Sequence, residues 1–250
     1  MRVLLGSGGI STEERRELFQ KLASLHFSNS TQILFIPYAS HDHSSYTARV
    51  ESFLTHRSET NILEGTPVRR VVGIHSFRDE IAAEAVAAAD AIYVGGGNSF
   101  LLAKELHDRG LVEPIRSAVF RGASYLGISA GANVACRTMM TTNDMPIVHP
   151  PSFESFGIVP FQINPHYYPG KLLFDDGKEL ARHYGESREQ RINEFHRLED
   201  TPVLGMWEGS FVQWDGSKGR LYGRATAFLP GESPVEIHDG SEFDARLMVS

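Results

Sequence analysis

A serine placed between two glycines, directly after an apolar run, constrains the fold of this chain most strongly. The run covers 125–128, and the motif reads Gly127-Ile128-Ser129-Ala130-Gly131 before a small-residue segment that leads to Cys136. That order predicts a strand, a tight turn and a helix, as a G-x-S-x-G nucleophile elbow requires. Glycines are expected at 127 and 131 because side chains would clash where the strand and the helix approach each other. The alternative is that Ser129 is only a helix N-cap.

The chain before residue 140 alternates strand-like and helix-like segments, whereas the later part is richer in β patterning. Alternation predicts right-handed βαβ crossovers and an α/β fold with a mostly parallel sheet flanked by helices. The later segments predict a C-terminal antiparallel β portion that ends in a meander. We expect one domain over residues 1–250, because no boundary rich in Pro, Gly and Ser divides the chain. The predicted strands are 2–5, 31–38, 68–74, 90–94, 125–128, 161–167 and 203–207, with further β segments at 211–228 and 235–238.

Two glycine-rich loops follow predicted strands and are expected beside Ser129, because ligands bind beyond the carboxyl ends of parallel strands. The first, Gly6-Ser7-Gly8-Gly9, lacks a Walker lysine and G-x-G-x-x-G spacing, so phosphate binding is disfavoured. The second, Gly95-Gly96-Gly97, lacks the spacing and the acidic residue of a dinucleotide site. It favours an oxyanion hole made by the N–H groups of Gly97 and Ala130, with a simple tight turn as the alternative.

A serine hydroxyl needs a base within hydrogen-bond reach and an acid that orients that base. Among eleven histidines, His166 is favoured because it ends a predicted strand beside a proline. Other histidines are expected to be exposed; examples are His26, His56 and His183. The acid stays open between Asp144, in a loop between nucleophile and base, and Glu208, at the end of a later strand.

Composition excludes several kinds of partner. The net charge of −7, with no basic stretch, argues against nucleic-acid binding, and no apolar run approaches 18 residues, which argues against a membrane span. The sequence His41-Asp42-His43 lacks further ligands at a familiar spacing, so a solvated loop is favoured over a metal site. No metal or cofactor is expected. The single cysteine and the strand-like N-terminus, without a signal peptide, favour a cytoplasmic protein, monomeric or homodimeric, that binds a small molecule.

Five blocks in order carry a resemblance to a known family. They are Gly95-Gly96-Gly97-Asn98-Ser99-Phe100, Gly127-Ile128-Ser129-Ala130-Gly131-Ala132-Asn133, Thr142-Asn143-Asp144-Met145-Pro146-Ile147-Val148, Gln162-Ile163-Asn164-Pro165-His166 and Gly185-Glu186-Ser187-Arg188-Glu189-Gln190-Arg191. Together they resemble the peptidase E family of α-aspartyl dipeptidases, which is related to cyanophycinase. The blocks cover most of the chain from about residue 90 to 209, and the first 80 residues and the tail add little. Ile128 stands where some members have an aromatic residue, and Tyr167 stands where some have phenylalanine; both departures bear on the shape of the pocket.

The resemblance implies a metal-independent serine dipeptidase that cleaves Asp-X dipeptides through an acyl-enzyme. It also implies a fold similar to class I glutamine amidotransferases. The family roles fall on Ser129 as nucleophile and His166 as base. The third member corresponds to Asp144 or to Glu208; this sequence retains both, with Asp144 slightly favoured and Glu208 kept as a site residue.

The resemblance also implies a basis for specificity. Arg188 occupies the family position expected to grip the aspartyl carboxylate, which a planar guanidinium binds through two parallel hydrogen bonds. Without the resemblance, Arg188 would be an ordinary exposed helix arginine. Asn98 and Ser99, which are also expected to cap a helix, are further candidates for contacts with the substrate.

Four competing interpretations remain. A cyanophycinase-like or isoaspartyl exopeptidase would share the elbow and differ in the pocket. An α/β-hydrolase esterase is disfavoured by the lack of a His-Gly-Gly oxyanion motif, and a glutaminase would normally carry cysteine in place of Ser129. The fourth interpretation is a catalytically silent member that binds a small ligand.

Overall fold

Five parallel strands form one side of the larger sheet in this computed structural model, which describes residues 1–55, 70–170, 173–182 and 184–249. They lie in the order β1-β5-β4-β2-β3, so three neighbouring strands, β1, β5 and β4, end side by side at one edge. Their bounds are β1 (Arg2–Gly6), β2 (Gln32–Ile36), β3 (Arg70–Gly73), β4 (Ala91–Val94) and β5 (Ser124–Ile128). The beginning of the predicted strand 68–74, at residues 68 and 69, lies outside the described residues.

Helices cover both faces of the sheet formed by these strands. Alternate residues of each strand point to opposite faces, and apolar residues on both faces are buried. Val3 and Leu5 belong to one buried cluster, and Leu4 belongs to the other. Thr12 begins the first helix: its hydroxyl accepts from Arg15 N, and two glutamates occupy the first turn. The connecting helices are α1 (Glu13–His26), α2 (His43–Thr55), α3 (Asp79–Ala87), α4 (Ser99–Asp108) and α5 (Val112–Phe120), with a 3₁₀ turn at Ile74–Ser76.

The rest of the chain contributes a second sheet and extends the first. After β5 come α6 (Ala130–Asn133), β6 (Gln162–Tyr167), β7 (Leu173–Asp175), β8 (Leu180–Arg182), α7 (Arg188–Phe195), β9 (Val203–Trp207), β10 (Phe211–Trp214), β11 (Gly219–Tyr222), β12 (Ala225–Phe228), β13 (Val235–Ile237) and β14 (Glu242–Phe243). Strands β10, β11 and β14 extend the first sheet beyond β1 in antiparallel fashion. The second sheet has the order β13-β12-β9-β6, and β7 pairs with β8.

The predicted α/β fold, with a mostly parallel sheet, flanking helices and antiparallel strands at the C-terminus, is confirmed. The expected terminal meander is divided between the two sheets, because the chain changes sheets after β9, after β11 and again after β13. Ser210 joins the first two of these crossings: its hydroxyl accepts from Arg224 N at 2.9 Å and donates to Arg224 O at 2.8 Å. Within the described residues, none of the helices has the length and hydrophobicity needed to cross a bilayer.

Candidate active site

Ser129 occupies a strained turn between β5 and α6. Its backbone has φ 54° and ψ −109°, a conformation that a non-glycine residue rarely adopts and that costs about 1–3 kcal/mol. A β-carbon on Gly127 would lie 2.3 Å from Gly131 O, and one on Gly131 would lie 2.1 Å from Val94 O. The predicted reason for both glycines, close approach of strand and helix, is therefore confirmed.

The helix after Ser129 is shorter than the sequence predicts. It ends at Asn133, because the next carbonyl groups accept hydrogen bonds from a later segment instead of from helical N–H groups. Phe156 N donates to Val134 O at 3.0 Å, and Gly157 N donates to Cys136 O at 2.8 Å. The Ser129 hydroxyl makes no capping hydrogen bond to this helix, which removes the N-cap interpretation.

His166 reaches Ser129 from the second sheet. Its Nε2 lies 2.7 Å from Ser129 Oγ. The pairing of β6 with β9 shifts between Asn164 and Tyr167, and His166 in this bulge has φ 56°. A β-bulge re-aims a side chain, and here it directs the imidazole at the elbow of the first sheet.

The carboxylate that contacts this imidazole belongs to Glu208. Glu208 follows β9, the neighbour of β6, and its Oε1 lies 2.6 Å from His166 Nδ1. Asp144, which the sequence slightly favours for that place, lies elsewhere: its Oδ2 accepts from Ser99 N and from Ser99 Oγ, both at 2.7 Å. The side-chain amide of Asn143 anchors the Asp144 loop by donating to Pro165 O at 2.6 Å.

The glycine loop after β1 lies against these three side chains. A β-carbon on Gly8 would lie 3.0 Å from His166 Cε1, and one on Gly9 would lie 1.9 Å from Glu208 Oε2, so a side chain at either position would press on the residues that contact Ser129 or His166. The buried Ser7 hydroxyl accepts from His166 N at 2.8 Å and donates to Met206 O at 3.0 Å. Sequence reasoning placed this loop at the correct sheet edge but missed its contacts, because the strand carrying His166 belongs to another sheet.

The second glycine loop lies against Ser129. A β-carbon on Gly96 would lie 3.0 Å from Ser129 Cβ. Gly95 N donates to Ile36 O at 3.1 Å, and Asn98 N donates to Ala39 O at 2.9 Å. Within the described part of the chain, no acceptor takes the N–H of Gly97 or of Ala130. Gly97 has φ 138°, and a β-carbon there would lie 2.2 Å from Ala39 O, so this backbone shape requires glycine.

Arg188 is half-buried at the start of α7, near Tyr168 and Asp144. Its guanidinium carbon lies 5.6 Å from the centre of the Tyr168 ring, and its buried Nε has no hydrogen-bond acceptor among the described residues. Burial is the largest influence on the pKa of Arg188 and lowers it; Tyr168 raises it, Arg191 lowers it and Asp144 raises it. A buried donor without a partner is costly, so the site suits an added carboxylate.

Asn98 and Ser99 are occupied by local contacts. Asn98 caps α4, with Oδ1 accepting from Phe100 N and Leu101 N, and its Nδ2 donates to Met145 O at 2.9 Å. Ser99 is buried, and its hydroxyl donates to Asp144 and accepts from Thr142 Oγ1. Both residues therefore fix the loop that carries Asp144.

Several other sequence-based candidates lie outside this arrangement. The expectation that His26 is exposed is wrong: it is buried against Tyr125 O at 2.9 Å, because α1 packs it onto the sheet, and burial lowers its pKa to about 4. His56 and His183 lie outside the described residues. Burial raises the pKa of the Cys136 thiol to about 12, which makes it unsuitable as a nucleophile. Asp42 begins α2 by accepting from Ser45 N, and no group of three or more metal-binding side chains is found in the described ranges.

Fold and site together define an α/β protein with a serine elbow, whose hydroxyl contacts a histidine that in turn contacts a glutamate. The chain belongs to peptidase family S51, whose family model matches residues 3–222.

Comparisons with individual proteins agree with this membership. The chain is 44% identical over 220 residues to peptidase E of Streptomyces coelicolor, covering 87% of this chain and 83% of that protein. It is 42% identical over 203 residues to a Drosophila melanogaster protein named "Probable alpha-aspartyl dipeptidase", covering 81% and 77% of the two chains. The crystal structure of a peptidase from an acI-B1 Actinobacterium shares the fold, with a TM-score of 0.64, 18% identity and coverage of 97% and 96%.

Proposed function

We propose that this protein is a serine dipeptidase that hydrolyses dipeptides with an N-terminal aspartate. The observation that carries the proposal is the continuous hydrogen-bonded series from Ser129 Oγ through the His166 ring to Glu208, with contacts of 2.7 and 2.6 Å. The similarity to peptidase E and α-aspartyl dipeptidase sequences supports the substrate class.

The proposed reaction is acyl transfer in two stages. Ser129 Oγ attacks the peptide carbonyl while His166 Nε2 takes its proton, and Glu208 holds the imidazole in the productive orientation. The N–H groups of Gly97 and Ala130 stabilise the oxyanion. His166 then gives the proton to the leaving amine, and a water molecule, activated by the same imidazole, releases aspartate from Ser129.

Arg188 is the proposed partner of the aspartyl side chain. Its guanidinium has an unused buried donor, and a carboxylate supplies two acceptor oxygens in matching geometry. Asp144 is assigned a positioning role, because its hydrogen bonds join the loop beside Arg188 to the start of α4.

The proposal is tested by turnover of Asp-Leu by the wild-type protein and by Ser129→Ala. We expect hydrolysis by the wild type and loss of nearly all of it in the variant; normal turnover by Ser129→Ala would remove the nucleophile from the mechanism. A panel of Asp-Leu, Asn-Leu, Ala-Leu and β-linked Asp-Leu, assayed before and after Arg188→Ala, tests specificity. Preference for the β-linked peptide would instead favour an isoaspartyl exopeptidase.

A cytoplasmic location and a monomeric or homodimeric state complete the proposal. The single cysteine leaves the fold without an internal disulfide, which suits a reducing compartment. Cell fractionation tests the location, and light scattering after size-exclusion chromatography tests the number of chains.

A further inference from the structure

An apolar cavity of about 430 Å³ lies between α1 and α2 and opens beside the elbow. Its walls are aromatic and aliphatic side chains from both helices and from the central sheet: Ile10, Phe19, Val50, Phe53, Ile128 and Phe211. A cavity of this size has room for the side chain of a large apolar amino acid, and its lining excludes a charged one.

The cavity adjoins the reacting atoms on the side of His166. Gly8 lines it, and a β-carbon on Gly8 would lie 3.0 Å from His166 Cε1, 3.7 Å from His166 Nε2 and 3.9 Å from Ser129 Cβ. The group that leaves during acyl transfer must stand within reach of the imidazole that protonates it. The cavity is therefore placed for the second residue of the substrate, whereas Arg188 stands with Tyr168 and Asp144 on the side proposed for the aspartate.

Arg49 supplies a positive charge at this cavity. It lines the apolar cavity and also the neighbouring cavity of about 510 Å³ beside Gly96 and Gly97. Its guanidinium carbon lies 5.5 Å from the centre of the Tyr46 ring, and the Tyr46 hydroxyl reaches the second glycine loop, where a β-carbon on Gly95 would lie 2.7 Å from it. Within the described ranges, no carboxylate lies within ion-pair distance of Arg49. An exposed arginine beside an apolar cavity matches an amino acid that has an apolar side chain and a free α-carboxylate.

We propose that Arg49 binds the terminal α-carboxylate of the Asp-X substrate and that the apolar cavity takes the side chain of residue X. This inference rests on the proposed function and adds the recognition of the leaving residue. Two arginines then bracket the scissile bond, with Arg188 on the aspartyl carboxylate and Arg49 on the terminal one. A chain extended beyond residue X would lose the contact between its terminal carboxylate and Arg49, so the same geometry favours dipeptides.

The test compares Asp-Leu with Asp-leucinamide, which lacks only the terminal charge. We expect the wild type to prefer Asp-Leu by about tenfold to a hundredfold in kcat/KM, as a charge-assisted contact implies. Arg49→Gln should bring this ratio within about threefold of one by raising KM for Asp-Leu, with kcat retained. Arg49→Lys should restore part of the ratio, and Arg78→Gln, which changes an exposed arginine next to α3, should leave it unchanged.

The cavity is tested with Asp-Gly against Asp-Leu. We expect the leucine peptide to be favoured by about tenfold to a hundredfold in the wild type and in Arg49→Gln alike, because side-chain burial is independent of the charge. An unchanged ratio of Asp-Leu to its amide in Arg49→Gln, or equal turnover of the glycine and leucine peptides, would overturn this inference and leave the proposed function standing. No turnover of any Asp-X peptide by the wild type would overturn both.

Discussion

Replacing Glu208 by glutamine removes one charge and keeps the size of the side chain that contacts His166. In the wild type, Glu208 Oε1 lies 2.6 Å from His166 Nδ1. In the proposed mechanism, this carboxylate fixes which ring nitrogen carries the proton and stabilises the imidazolium that forms during attack. A glutamine amide can also donate to Nδ1, which would leave the proton on Nε2 and prevent His166 from accepting the Ser129 proton.

The expected loss follows from the exposure of this pair. In buried triads, changing or removing the acid costs on the order of 10⁴-fold in kcat. Here the side chains of His166 and Glu208 are 37% and 44% exposed, so water solvates part of the imidazolium charge. We therefore expect a fall in kcat of about 10²- to 10³-fold for Glu208→Gln, equivalent to about 3–4 kcal/mol in the barrier.

Asp144→Asn is the matched comparison, because it makes the same chemical change at the other candidate acid. The asparagine oxygen can still accept from Ser99 N, so the loop keeps one of its anchors. We expect less than about a tenfold change in kcat, with any loss found mainly in KM, because Asp144 joins its loop to Ser99 at the start of α4 and its carboxylate contacts Ser99 rather than His166.

The assay is steady-state hydrolysis of Asp-Leu by the two variants, with kcat and KM measured separately. Circular dichroism and a urea titration control for folding. An unchanged kcat in Glu208→Gln, together with a 10²-fold loss of kcat in Asp144→Asn, would refute the assignment and show that the orienting acid is Asp144.

Three further predictions concern stability. Ser7→Ala should lower the free energy of unfolding in urea by about 1–3 kcal/mol and reduce kcat, because it leaves the buried N–H of His166 without its acceptor; normal values for both would show that Ser7 does not hold the bulge. Ser129→Gly should be about 1 kcal/mol more stable than Ser129→Ala in the same titration, since both lack the hydroxyl and only glycine relieves φ 54°; equal stability would mean that the elbow is unstrained. Burial, and then the charge of Arg2, lower the pKa of His26 from 6.5 to about 4 against the opposing hydrogen bond to Tyr125, so the unfolded chain binds more protons between these values. Stability from this group is complete above pH 6.5 and falls by about 3 kcal/mol as pH drops to 4, a dependence that should be absent in His26→Gln.

Local patterns predicted the elements that surround the elbow. The apolar run before Ser129 became β5, and Asn98 begins α4 as its capping chemistry indicates. The role of Gly127 and Gly131 was predictable, because glycine is required wherever two backbone segments approach too closely for a side chain. The parallel arrangement of the strands was predictable from the alternation of strands and helices along the chain, since a βαβ unit permits few topologies.

Only the tertiary structure decided which carboxylate contacts His166. In the sequence, Asp144 lies in a loop and Glu208 lies at the end of a strand. Either position is plausible for the acid that contacts the base, and no local pattern distinguishes the two. The pairing of β6 with β9 places Glu208 behind the imidazole, because the two strands are neighbours in a second sheet. The contact of Asp144 with Ser99 depends in turn on a loop tied to Pro165.

The sequence by itself therefore determined the nucleophile candidate, the base candidate and the parallel sheet, because these depend on patterns within a few residues or on chain connectivity. Tertiary structure alone decided which acid meets His166, how Ser7 holds the bulge and how Arg49 comes to stand beside the cavity near Ser129. The physical reason is that these contacts join two sheets and two helices, and their geometry depends on strand register and helix packing that no local pattern specifies.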